Sequence, residues 1–257
     1  MKKFTLKKSY ISFSSFFLIT LSMPFVSARS NPMGSETTAT TAVKNNITIT
    51  PVEINRNNIY DSLKLGSLGL AKQAFDYAMK GLDIMKAVGK VENYNVISIV
   101  DFSKASSQKR LFVLDLKNRK VLFNTYVAHG MNSGKEFAQK FSNDPSSNKS
   151  SLGFYETLGT YIGEHGYSLK LEGVEKGIND NANKRNIVMH GAQYVNSNTV
   201  REHGYIGRSW GCPAIPEALQ VPIIEKIKNG TCLFIYSPDK NYLDHSEILK
   251  QTTTSVM

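Results

Sequence analysis

The sequence predicts a mostly β domain of the α+β kind, with a helical segment before it and a short helix near its end. Three observations carry this expectation. From Val96 onward, β-branched and apolar runs recur between turn-forming clusters, the pattern of strands. Before Val96 the apolar residues fall at helical spacing instead. Hydrophobic residues make up 41% of the chain and charged residues 20%, enough apolar surface to bury a core, which excludes wholesale disorder. Glycine (18) and proline (8) are too sparse for a collagen-like or proline-rich fibre.

The elements follow in order. Lys2, Lys3, Lys7 and Lys8 form a basic start, residues 11–25 are uncharged and mostly apolar, and Val26, Ser27 and Ala28 supply small residues for cleavage. This run of 15 is short against the roughly 20 residues that span a bilayer. Residues 1–28 therefore read as a secretory signal peptide, with an uncleaved anchor as the alternative. Export is expected, with no stable membrane span after cleavage. No cysteine near the cleavage site offers a lipid anchor. The net charge of +10 first suggests a nucleic-acid binder, but cleavage would remove four lysines and no acid, leaving 229 residues and +6. No dense Lys/Arg block with interleaved aromatics is present, so no nucleic-acid partner is expected.

Residues 29–58, rich in Thr, Asn, Ser and Ala, read as a flexible linker, with Ile47 and Ile49 able to form a short strand. Residues 59–94 read as a helical preface. Ala71, Ala74, Phe75 and Ala78 make its stripe, Leu82 and Met85 extend it past Gly81, and it ends near Gly89. Residues 95–238 hold the β domain. Strands are expected at 96–100, 110–116 and 120–127, the last two forming a hairpin through Lys117, Asn118 and Arg119. Shorter strands are expected at 152–155 and 168–171, and a buried strand over 185–189 runs into His190 and Gly191. A helix at 222–228 has Pro222 in its first turn and Gly230 as its cap, and residues 231–236 form a last apolar strand. Residues 239–257 read as a C-terminal tail with His245 exposed. The polar stretch 130–151 exceeds the ~12–15 residues of an ordinary connection. Its serines (Ser133, Ser142, Ser146, Ser147, Ser150, Ser151) and Asn132, Asn143 and Asn148 suit a lid that bonds a ligand; a tolerated surface insertion is the alternative.

The two cysteines differ. Cys232 sits in an apolar strand, where a cysteine acts as a small hydrophobe. Cys212 follows Gly211 and precedes Pro213, with Arg208 nearby, in a loop expected to lead into a helix whose N-terminus would favour a thiolate. That environment suits a nucleophile; a disulfide between the two cysteines is the alternative. A thiol nucleophile needs a base, and His190, at the end of a buried strand and followed by glycine, can face an open cleft. A purely structural His190 is the competing reading. His129, His165 and His203 each precede glycine and read as turns. No zinc spacing, phosphate-binding loop or dinucleotide fingerprint is present, so neither metal nor nucleotide is expected.

The run from Ile187 through Met189, His190, Gly191 and Ala192, followed by Gly207, Arg208, Ser209, Trp210, Gly211, Cys212, Pro213 and Ala214, resembles the signature of murein L,D-transpeptidase catalytic domains. The likeness is greatest to the subgroup carrying S-x-G-C-P-A, and it covers roughly residues 96–236. Carried over position by position, Cys212 matches the nucleophile and His190 the general base. Ser209, Gly211 and Gly191 match supporting positions near the oxyanion. The main branch has histidine where Trp210 stands and arginine where Ala214 stands, so substrate contacts at those positions do not transfer. Arg208, Trp210 and His203 are the substrate-binding candidates, with packing over the loop the plainer role for Trp210. The resemblance implies a β-sandwich or open-barrel fold, a place in the periplasm or cell wall, and acyl transfer on peptidoglycan stem peptides without a cofactor. Cys212 would form a thioester that an amine resolves to a 3→3 cross-link, or that water resolves in a carboxypeptidase or hydrolase. A non-catalytic wall-binding protein on the same fold is the reading from another class.

Overall fold

The computed structural model describes residues 51–251; the expected signal peptide, the strand at Ile47 and Ile49, and most of the expected linker lie outside the described residues. Two helices come first, α1 (Pro51–Ser62) and α2 (Lys72–Ala87), followed by the strands β1 (Val96–Asp101), β2 (Leu111–Asp115) and β3 (Lys120–Thr125). A long hairpin, β4 (Gly153–Gly163) and β5 (Gly166–Gly173), leads to β6 (Val188–Ala192) and the helix α3 (Ser197–His203). Then come β7 (Ala214–Pro216), a 3-10 turn (Glu217–Leu219), α4 (Gln220–Ile227), β8 (Cys232–Tyr236), and the short helices α5 (Lys240–His245) and α6 (Glu247–Lys250).

All eight strands join one sheet in the order β3-β2-β1-β8-β4-β5-β6-β7, curled toward a closed barrel, as the mostly β expectation requires. The pairings are antiparallel except β1 with β8 and β6 with β7. One of the two central strands, β8, is buried along its whole length, which explains its unbroken apolar sequence. At the other end β6 and β7 pair with His190 opposite Ala214.

Where the structure departs from the sequence reading, the reasons are physical. The helix α1 occupies residues expected in the linker, and the helical segment after it is no separate preface. Ala74, Phe75, Ala78, Leu82 and Met85 of α2 are buried in the main core. Tyr236 Oη donates to Gln73 Oε1 at 2.7 Å, and Cys232 Sγ lies 3.6 Å from Met85 Sδ. The end of α2 is as expected: Gly89 takes φ +68°, and Lys90 N–H returns to the Met85 carbonyl at 2.8 Å. The C-terminal residues through Lys250 also fold instead of trailing as a tail. Asp239 and Ser246 cap α5 and α6, Tyr242 and Leu249 are buried, and the buried Glu175 carboxylate accepts from Tyr242 Oη and Ser246 Oγ. His245 is exposed, as expected.

Gly81 fixes how closely α2 approaches the sheet. A Cβ there would stand 2.0 Å from Phe154 Cζ, and Phe154 is itself stacked on Phe234 at 4.1 Å between centroids. Gly81→Ala would gain about 1 kcal/mol in helix propensity. Overpacking of a buried, stacked ring costs about 1–3 kcal/mol, so the variant is expected to be destabilised. Urea unfolding should show a lower midpoint with an unchanged slope.

A second buried group holds the segment after β3. Arg110 is wholly buried; its guanidinium donates to the Val127 carbonyl at 2.9 and 3.1 Å, to the Lys104 carbonyl at 3.0 Å and to His129 Nδ1 at 2.7 Å. Arginine cannot accept, so His129 Nδ1 is the acceptor and Nε2–H donates to the Gly134 carbonyl at 3.0 Å. Burial and the Arg110 charge push the His129 pKa down to about 4 from its usual 6.5. The unfolded chain therefore binds this proton at a higher pH than the folded chain does. The stabilisation is complete above pH 6.5 and is lost as pH falls toward 4, by an amount on the order of 3 kcal/mol. Urea midpoints should fall across that window, and His129→Gln should flatten the fall.

Candidate active site

Two elements bring the expected pair together. His190 lies mid-strand in β6 rather than at its end, and Cys212 ends the loop that feeds β7. Because His190 faces Ala214 in parallel register, Cys212 comes alongside the start of β6. There Val188 N–H donates to Cys212 Sγ at 3.4 Å, and the thiol donates to the Asn186 carbonyl at 3.6 Å. Asn186 adopts φ +55°, a left-handed conformation that asparagine tolerates, just before the chain enters β6. Both cysteines are free; Cys232 is buried in β8, and burial pushes its thiol far up. Cys212 and His190 line one cavity of about 900 Å³.

The electrostatics differ from expectation. Burial pushes the Cys212 thiol above its ordinary value; the Val188 N–H and the Arg185 charge oppose this but do not reverse it. No helix starts at Cys212: β7 and a 3-10 turn intervene before α4, so the expected helix-terminus effect is missing. The neighbouring cation is Arg185, not Arg208. Arg185 donates four hydrogen bonds, to the Ser142 and Lys149 carbonyls and to the Ser151 and Ser147 hydroxyls. The Arg208 guanidinium instead lies over the Tyr194 ring at 5.2 Å.

His190 is buried, and burial pushes its pKa down; the Gly191 carbonyl opposes this and the His165 charge adds to it. Its Nδ1 lies 2.8 Å from the Gly191 carbonyl. A carbonyl only accepts, so Nδ1 carries the hydrogen and Nε2 is the basic nitrogen of the neutral ring. Both members of the pair are thus neutral at rest.

The other expected residues fall into place unevenly. Ser209 is buried and its Oγ accepts from Gly211 N–H at 3.2 Å, so that N–H is already engaged inside the loop. Gly211 has φ +121°, and a Cβ there would meet the Lys149 carbonyl at 2.7 Å. Gly191 holds the His190 ring through its carbonyl; a Cβ on it would collide with the Gln220 side chain at 2.8 Å. Trp210 is 73% exposed at the cavity rim, so it does not pack over the loop. His203 is exposed at the end of α3, 4.0 Å from Glu202, and lies away from the cavity lining.

The stretch 130–151 does not line the Cys212 cavity. It supports the cysteine loop instead. Met131 N–H donates to the Ser209 carbonyl at 2.7 Å, and Ser150 Oγ donates to the Gly211 carbonyl at 3.2 Å. Ser133 Oγ accepts from Ser150 N–H at 2.9 Å. Ser133, Ser142, Ser147, Ser150 and Ser151 are spent on internal bonds, whereas Ser146 and Asn148 line a smaller cavity beside Arg185 and Trp210, so the stretch lies next to the Cys212 cavity and not over it.

Three contributors escaped the sequence reading. His165, in the two-residue turn between β4 and β5, stacks on His190 at 4.3 Å between centroids, 23° from parallel. Gln220 ties that turn down through the His165 and Tyr167 carbonyls at 3.0 and 2.6 Å. Arg185 lies just before β6. The available signal for His165 was a histidine at a hairpin tip, G-E-H-G, which also fits an ordinary turn. Among the described residues, no cluster of three or more His, Cys, Asp or Glu side chains could hold a metal ion, and no helix is long and apolar enough to cross a membrane.

Among known proteins, no curated protein matches the chain. Solved structures similar to it include an L,D-transpeptidase from Mycobacterium smegmatis: 12% identity, 56% of this chain and 59% of that one, TM-score 0.35. An L,D-transpeptidase from Xylanimonas cellulosilytica gives 13%, 55%, 60% and 0.32. The helical cell shape determining protein Pgp2 from Campylobacter jejuni gives 11%, 62%, 57% and 0.39. The chain spans less than two thirds of the length of each. A family model described as L,D-transpeptidase catalytic domain matches residues 67–236, a stretch that includes the cavity, Cys212 and His190. The chain belongs to the L,D-transpeptidase catalytic domain family.

Proposed function

We propose that the protein is an exported cysteine acyltransferase of the cell wall, acting as an L,D-transpeptidase on peptidoglycan tetrapeptide stems. The observation that carries this reading is a free Cys212 thiol and a neutral His190 lining one cavity, with Nε2 the basic nitrogen of the ring. Nε2 removes the thiol proton as Sγ bonds to the carbonyl carbon of the third stem residue, and the carbonyl π pair moves to oxygen. The Cys212 N–H is the oxyanion donor in this scheme, since Gly211 N–H is bonded to Ser209 Oγ; one such donor is worth about 3 kcal/mol. The tetrahedral carbon then expels the terminal D-alanine amine, which takes the proton from His190, and a thioester is left. An amine from a second stem, deprotonated by His190, displaces Sγ and forms the 3→3 cross-link.

Arg208 and Trp210 line the cavity and are the proposed stem contacts; His203 is not among them. Arg208 offers charge to a stem carboxylate, and the exposed Trp210 face offers an apolar platform at the rim. The reaction proceeds without a cofactor. A second reading, an L,D-carboxypeptidase or cross-link hydrolase, is favoured by one observation: the stretch expected as a water-excluding lid lies outside the cavity lining.

Purified protein incubated with a disaccharide-tetrapeptide and analysed by mass spectrometry separates the readings. Cross-linked dimer lacking one D-alanine is the expected product, tripeptide alone marks the hydrolase, and Cys212→Ala should give neither. Intact mass after carbapenem treatment should rise by one adduct, located on Cys212. An adduct on Cys232, or products surviving Cys212→Ala, would overturn the assignment.

A further inference from the structure

The β4–β5 hairpin reaches past the sheet edge, and its tip returns an imidazole to the base. His165 is exposed, His190 is buried, and the two rings lie nearly flat together at 4.3 Å. The contact is built rather than incidental. Gln220, itself buried, holds the His165 carbonyl at 3.0 Å and passes beside Gly191, where any Cβ would block it at 2.8 Å. Gly191 in turn accepts the His190 Nδ1–H at 2.8 Å. Gln220, Gly191, His190 and His165 thus close one unit drawn from α4, β6 and the hairpin tip.

We propose that His165 is a positioning residue for His190: its stacked ring fixes the imidazole plane with Nδ1 on the Gly191 carbonyl and covers it from solvent. This rests on the reading of His190 as the base for Cys212. Other titratable groups face the same cavity: Tyr161 and Glu164 on the hairpin, Arg185 and Tyr194 flanking β6, Arg208 and Cys212 on the loop, and Glu217 after β7. Of all these neighbours, His165 is the one whose charge acts on His190, lowering its affinity for a proton. His190 stays neutral, and usable as a base, to lower pH than it would uncovered. The stacked ring has a second consequence: rotation of the imidazole off the Gly191 carbonyl would cost the stack as well as the hydrogen bond.

The test compares wild type, His165→Ala and His165→Phe, each as the purified protein. Imidazole nitrogen NMR reads the His190 tautomer and titration midpoint. The pH profile of Cys212 acylation by a carbapenem reads the base. Removing the His165 charge should raise the His190 midpoint in both variants and carry the acid limb of acylation to higher pH with it. His165→Ala, which also loses the stack, should mix the His190 tautomers and lower the plateau acylation rate by about tenfold. His165→Phe, which keeps a ring in place, should retain the Nδ1–H tautomer and recover most of that rate. A His190 midpoint and tautomer unchanged in both variants would overturn the proposal. So would an acid limb that stays in place while the midpoint moves. Should His165→Ala not fold, His165→Phe alone still decides through the midpoint. Absence of acylation in wild type would refute the catalytic reading, and the NMR arm would still decide the coupling of the two rings.

Discussion

The register between two very short parallel strands governs this molecule. With His190 opposite Ala214, Cys212 is set beside Val188, and a backbone N–H reaches the sulfur. A slip of one residue would turn every side chain on β7 to the opposite face and take the thiol out of the cavity. Three paired residues cannot hold such a register alone. The chain on both sides of the cysteine is therefore pinned from a second side, where Gly130 bridges Ser209, Met131 N–H bonds the Ser209 carbonyl, and Ala128 N–H bonds the Ala214 carbonyl at 2.8 Å. The cysteine loop lies between β6 and the segment after β3, and neither could move without displacing it.

Buried polar groups hold that second side. Arg110 and His129 tie the segment after β3 to the chain around residue 134, and Gly207, at the head of the cysteine loop, lies against the same imidazole, where a Cβ would come within 2.6 Å of Nε2. Arg185 performs the corresponding task for residues 142–151, with all four of its hydrogen bonds spent there. Leaving such groups unpaired would cost several kcal/mol each, so they hold their partners to one geometry. This is why a stretch of more than twenty residues without regular secondary structure can be a rigid support.

Much of the fold was legible because burial writes itself into sequence period. The strands at 96–101, 111–115 and 232–236, and the helix 72–87, have apolar patterns that admit few other readings. Cys212 and His190 were legible because a cysteine between glycine and proline, and a histidine after an apolar strand, are poor choices for packing alone. The rest was hidden for reasons of the same kind. The outer half of β4 carries Gly159 and Gly163 and faces solvent, so it lacks a core-facing signal, yet it carries His165 to the site. The helices α5 and α6 are too short to show a period. In residues 130–151, serines that bond a ligand and serines that bond the protein's own backbone are the same residues in sequence. Only the partners distinguish them, and those partners, Arg185 and Gly211, lie far along the chain.

Burial sets the resting protonation of Cys212 and His190, and with it the order of events in the proposed acyl transfer. From ordinary values of 9.0 for the thiol and 6.5 for the imidazole, moving the proton from Cys212 to His190 is uphill by about 3 kcal/mol before their mutual attraction is counted. Burial raises the first and lowers the second, so the fold widens this gap instead of closing it. Both shifts disfavour a preformed thiolate–imidazolium pair. In the proposed acyl transfer, proton transfer then accompanies attack, when the new S–C bond and the oxyanion donor supply the missing stabilisation. A thiol kept protonated until an acyl donor arrives is also a poor target for oxidants, since the thiolate is the reactive form. For a protein expected to work outside the reducing cytoplasm, the same burial that slows the resting nucleophile preserves it.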